Sequence, residues 1–132
     1  MKECHLAYRV PYADVDRMGI VYYAHYLVYF ERGRTELLRQ CGVPYSELEQ
    51  NGTLLPVIEV SCTYCKPAYY DDIIDISSRI TDIQGIRIKI ECEIYRDSML
   101  VAQGYTWHVC TDKNGKPKRM PAIIQQLFTT GE

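Results

Sequence analysis

Along most of the chain, apolar and polar residues take turns. Ile86, Ile88, Ile90, Cys92 and Ile94 alternate strictly with Arg87, Lys89, Glu91 and Glu93, the period-two pattern of a strand with one buried and one wet side. Residues 55–66 repeat it, with Ile58, Val60, Cys62 and Tyr64 against Glu59, Ser61 and Thr63. Residues 73–83 alternate less cleanly but keep Ile74, Ile76 and Ile80 on a common face. Gln84-Gly85 and Asp97-Ser98 are short enough to be hairpin turns, and residues 99–110 make a last strand before an Asn114-Gly115 turn. Residues 5–13 are compatible with a first strand.

One long stretch breaks this rhythm. From Tyr22 to about residue 41, the apolar residues Tyr23, Ala24, Leu27, Val28, Phe30, Leu37 and Leu38 spread around a helical wheel. That predicts a single long helix, apolar over much of its surface and wrapped by other structure. Gly42 and Pro44 end it. A short second helix is predicted over residues 44–50, with Ser46 and Glu49 in capping-box spacing. A terminal helix begins at Pro121, a residue favoured at the first helical position. Strand, long helix and four hairpin-connected strands define an α+β domain with an antiparallel sheet packed on one helix. A chain of 132 residues without internal repeats suits one domain, 1–132.

Charge narrows the partners. With 15 Lys and Arg against 17 Asp and Glu, the formal net charge is -2, so no global field draws a nucleic acid or an anionic membrane surface. An anionic ligand must be held by a local cluster. No segment approaches about 20 apolar residues and the amino terminus lacks a signal-like run, so neither a membrane span nor export is expected, and the cytoplasm is the expected compartment. The 6 cysteines are scattered and read as reduced thiols. Cys62 and Cys65 form a C-x-x-C, but three residues apart on a strand they face opposite ways. With no second Cys or His pair at zinc spacing, no metal site is expected.

The candidate chemistry sits where the long helix begins. Gly19, Ile20, Val21 and Tyr22 occupy the place where a capping Ser, Thr, Asp or Asn belongs. The first helical amides are therefore free to polarise a carbonyl oxygen, with the positive end of the helix dipole behind them. Asp16, just upstream, offers a base or nucleophile. Asp14 is its rival, because in an extended stretch both carboxylates point the same way. Glu31 interrupts the apolar positions and is expected to pair with Arg34 or Arg32. His5 and His108 have no supporting constellation and read as structural.

The segment from Asp14 to Arg39, D-V-D-R-M-G-I-V-Y-Y-A-H-Y-L-x-Y-F-E-R-G-R-T-E-L-L-R, continues in Tyr64-Cys65-Lys66-Pro67-Ala68-Tyr69-Tyr70-Asp71-Asp72. Together they resemble the 4-hydroxybenzoyl-CoA thioesterase family of hotdog-fold proteins, in particular the bacterial acyl-CoA thioesterases associated with the Tol-Pal cell-envelope system. The resemblance implies a five-stranded sheet wrapped around a central helix, hydrolysis of an acyl-CoA thioester, and assembly into a dimer or tetramer. It also implies a catalytic carboxylate at Asp16, a carbonyl contact from the amide of Tyr23, and no cofactor beyond the coenzyme A of the substrate. Tyr23 stands where the subgroup has His, and His25 where it has Asn or Ser. The imidazole of His25 would suit proton transfer to a leaving thiolate, set against the plainer reading of a packed ring. The phosphates of coenzyme A call for a basic patch. Arg87 and Lys89 share a strand face, with Lys66 and Arg96 as neighbours from other strands, and the competing reading is an ordinary solvated face containing Glu91 and Glu93. A hotdog dehydratase is disfavoured because no His precedes a Gly by the H-x-x-x-G interval. A cysteine nucleophile is disfavoured because no Cys is obviously placed beside a His and a helix terminus. A non-catalytic acyl-CoA sensor or partner-binding protein is the remaining alternative.

Overall fold

The computed structural model describes residues 3–130. Strand β1 (Glu3–Arg9) leads through a 3-10 turn at Tyr12–Asp14 to helix α1 (His25–Gln40) and the short α2 (Tyr45–Gln50). Strands β2 (Val57–Tyr64), β3 (Ile73–Gln84), β4 (Arg87–Arg96) and β5 (Met99–Val109) follow, and α3 (Ala122–Thr130) closes the described chain. The sheet order is β1-β3-β4-β5-β2, with every pair antiparallel. The α+β class and five-stranded sheet expected from the alternation are thus present, and β1 and β2 form the two edges.

Register explains the core. Ile76 pairs with Ile94 and Ile80 with Ile90, so the apolar face runs unbroken from strand to strand. Against it α1 lays Tyr29, Phe30, Leu37 and Leu38, all buried. Each such side chain contributes about 1.5–3 kcal/mol on burial. Gly33 makes the close approach possible, since a Cβ there would run into the Ser78 hydroxyl and come 2.7 Å from Ile76 Cγ2. The β4–β5 hairpin turns on Asp97 and Ser98, both at positive φ (49° and 68°), as a turn matching the sheet's twist requires.

Several boundaries move. The first strand stops at Arg9, because Pro11 precedes the 3-10 turn that takes over residues 12–14. Helix α1 begins at His25 and not at Tyr22; the His25 amide bonds to the Tyr22 carbonyl at 2.8 Å, so residues 22–25 form a turn first. The capping box at Ser46 is not formed: Pro44 holds the capping position of α2 without a side-chain bond, and Ser46 lies inside the helix. Pro121 precedes α3 instead of opening it.

The helix is also less enclosed than its composition suggests. It packs on β1, β3 and β4, while Leu27 and Val28 remain 37% and 40% exposed and Ala24 is exposed. One chain's sheet covers only one side of α1. Glu31 is exposed on the other side and has no ion pair within 4.0 Å among the described residues, but its charge acts on the expected partner Arg34, favouring the charged guanidinium. Arg32 instead lies over the Tyr8 ring at 4.9 Å.

Candidate active site

The loop before α1 is a small ladder built from backbone bonds. The Asp16 amide donates to Ile20 O at 2.9 Å, the Gly19 amide to Asp16 O at 3.0 Å, and the Tyr22 amide to Asp14 O at 2.9 Å. Gly19 takes φ +77°, a value that side-chain-bearing residues rarely adopt. Its far side is sewn to residues 68–70, with the Val21 amide on Ala68 O at 2.8 Å and the Tyr70 amide on Gly19 O at 3.1 Å. A hairpin carrying Asp16 at its turn is therefore fixed against the start of the helix.

Within it the two aspartates part company. Asp16 is half-buried and gives one oxygen to the Met18 amide at 2.8 Å, which holds the carboxylate in place and leaves its other oxygen for chemistry. Asp14 is only 7% exposed and accepts the Tyr29 hydroxyl at 2.8 Å. His25 Nε2 lies 3.0 Å from its other oxygen. Sequence alone could not separate the pair, because the 3-10 turn that rotates Asp14 inward is set by its partners on α1.

The helix start carries no side-chain cap. Among the described residues, the amides of Tyr23 and Ala24 make no hydrogen bond. The Tyr23 carbonyl accepts the Tyr64 hydroxyl at 2.9 Å, which fixes that peptide from behind. A pocket of about 290 Å³ opens here, lined among others by Ile20, Val21, Tyr23, Tyr26, Tyr64 and Lys66. Tyr64 was not anticipated as a site residue; its place at the end of an alternating strand gave no hint of it.

The four expected phosphate ligands do not form one cluster within a chain. Lys66 lines the pocket at Tyr23. Arg96 is committed nearby, donating to Pro67 O at 2.8 Å and to Asp72 at 3.1 Å. Arg87 and Lys89 lie on the sheet face opposite α1, over Trp107 at 4.8 Å and Tyr105 at 4.5 Å. Tyr64 is level with Ala102 and Ile94, which puts those two residues roughly 17–23 Å away along β4 at about 3.3 Å per residue. His5 pairs with Asp75 at 2.9 Å. His108 is buried with Nδ1 2.8 Å from Leu55 O and Nε2 2.8 Å from Thr106 Oγ1. Both thus have structural partners.

The chain thus joins a pinned loop carboxylate to an uncapped helix start with two unbonded amides, on an α+β sheet-and-helix frame, the kinds of group that can polarise a carbonyl and activate an attacking group. Residues 10–128 match the family described as the thioesterase-like superfamily, and the chain belongs to it. A putative acyl-CoA thioesterase of Bacillus subtilis, YneP, is 38% identical over 125 residues, covering 93% of this chain and 91% of that protein. An acyl-CoA thioester hydrolase of Escherichia coli, YbgC, is 31% identical over 122 residues, with 91% of each covered. The crystal structure of a probable thioesterase from Bartonella henselae superposes with a TM-score of 0.86 at 31% identity, covering 90% of this chain and 99% of that one. A 4-hydroxybenzoyl-CoA thioesterase shares the fold at a TM-score of 0.86 and 19% identity. The hotdog architecture expected from the resemblance is therefore the one present.

Proposed function

We propose that the protein hydrolyses the thioester bond of an acyl-CoA, releasing the free acid and coenzyme A. The observation that carries this is the single hairpin that pins the Asp16 carboxylate through the Met18 amide and runs on into a helix start where the amides of Tyr23 and Ala24 make no hydrogen bond among the described residues. The thioester carbonyl would sit on those amides, where the helix dipole favours the growing negative charge. Asp16 would take a proton from water, or attack directly; either route ends in cleavage of the C–S bond. The family and the names of the relatives support this reading.

Lys66, which lines the pocket at Tyr23, would meet the coenzyme A phosphates. Arg87 and Lys89 would serve them only from the opposite face. If they do, replacing both by Ala should raise KM for acyl-CoA while sparing an acyl-pantetheine thioester, because remote phosphate contacts contribute binding without accelerating the chemical step; an unchanged KM would leave the phosphates to Lys66. The uncovered side of α1 and the exposed edge strand β2 support a homo-oligomer joined there. Cys62, Cys65, Cys92 and Cys110 stand as unlinked thiols, in keeping with a reducing, cytoplasmic setting. Among the described residues no helix is long and apolar enough to cross a membrane.

Release of free thiol from a panel of acyl-CoAs tests the function. Turnover of at least one, abolished in Asp16→Asn, is expected; a well-folded wild type that binds acyl-CoA without releasing thiol would instead be an acyl-CoA sensor.

A further inference from the structure

Asp14 and its partners do work that the roles of Asp16 and the helix amides leave unused. Both Asp14 oxygens are engaged, one by the Tyr29 hydroxyl at 2.8 Å and the other 3.0 Å from His25 Nε2. An ionised carboxylate only accepts, so Nε2 carries the hydrogen. Tyr29 is fully buried, and burial together with the Asp14 contact pushes its phenol far above the ordinary value, so it remains a donor. With Tyr29 anchored in the core, Asp14 is held in place, and Asp14 in turn fixes the imidazole. The ring also rests edge-on against Tyr29, centroids 6.0 Å apart. It projects from the first residue of α1, beside the free amides, with its side chain 32% exposed. Nδ1 has no hydrogen bond among the described residues. The nitrogen tied to Asp14 therefore decides which one is available for chemistry.

We infer that His25 is the proton donor to the departing coenzyme A sulfur, and that Asp14, itself fixed by Tyr29, is the positioning residue that orients it. This rests on the hydrolytic reading above. Once water has added to the thioester carbon and left a proton on Asp16, the oxyanion re-forms the carbonyl and the C–S bond breaks. The electron pair stays on sulfur, which takes the Nδ1 proton of the His25 imidazolium. The neutral imidazole then regains a proton from solvent, and Asp16 returns its own to solvent. An alkyl thiol resembles cysteine, with a pKa of about 8.5, so its departure at neutral pH gains from protonation. A thiophenolate, the weaker base, departs without it.

The leaving group is therefore the test. His25→Gln should lose about a hundredfold in kcat on acyl-CoA and acyl-pantetheine, the low end of what a positioned acid supplies, but less than about threefold on the matching S-phenyl thioester. Asp14→Asn should shift the same ratio in the same direction, while Asp16→Asn should lose activity on all three. If His25→Gln fails to fold by circular dichroism, His25→Asn gives the same comparison. Equal losses on alkyl and aryl leaving groups, or no loss on either, would overturn the role of His25. Wild-type protein inert toward every thioester would overturn the hydrolytic reading itself.

Discussion

Asp16→Asn is expected to remain folded and lose about 10²–10⁴ in turnover, the usual cost of removing a positioned acid–base group; a steady-state thiol assay beside a melting curve checks both halves. Tyr29→Phe acts differently, because it strips a donor from a buried carboxylate and should cost about 1–3 kcal/mol in urea unfolding. His108 sets a pH dependence. Burial holds its ring at about 4 against the ordinary 6.5, helped by Arg34 and opposed by the bond to Leu55. The unfolded chain takes up that proton below about pH 6.5 and the folded one does not. Its contribution is thus whole above pH 6.5 and disappears as pH falls toward 4, by about 3 kcal/mol at 1.36 kcal/mol per pH unit. Urea midpoints at pH 7.5 and 4.5 should converge in His108→Gln; a parallel fall in variant and wild type would place the effect elsewhere. His5 works in the opposite sense, its pKa raised first by the Asp75 hydrogen bond, but it is exposed and weighs little. The uncapped helix start was legible in the sequence because its signal is local: a glycine and a missing capping side chain. The inward turn of Asp14 was not, since Tyr29 lies on a different element and nothing in spacing announces the contact.

Among elements, the alternating strands β3, β4 and β5 were legible almost to the residue, because one face of each is buried and any slip would expose it. The termini of α1 and β1 were not. The end of β1 is bonded through Val10 to residues 71–72, and the run into α1 through Gly19 and Val21 to residues 68–70, long-range partners invisible to local pattern. The exposed flank of α1 was misjudged for a related reason: an apolar wheel says that a surface is covered, not by which chain. Gly104 gives an element-scale prediction. A Cβ there would overlap the Ser61 carbonyl on β2, so Gly104→Ala should push the edge strand off β5. Destabilisation of about 1–3 kcal/mol or more is expected, read as a lowered urea midpoint and faster amide exchange in β2 than in β3.

For the whole molecule, the open surfaces lie together. Edge strand β2 shows Val57, Ile58, Val60 and Tyr64 at 45–50% exposure, and α1 shows Leu27 and Val28. A second copy that covers them would explain why so apolar an edge is tolerated. Light scattering at micromolar concentration should give a dimer or tetramer, and Val60→Arg should shift it toward monomer. The uncovered flank of α1 then has a kinetic meaning. The helix start that carries Tyr23 and His25 is continuous with that flank, so in such an assembly the walls needed to hold an acyl chain would be shared between neighbours. Rate per chain should accordingly depend on dose: progressive dilution should lower specific activity, and added inactive Asp16→Asn protein should restore it by lending its surface to wild-type chains.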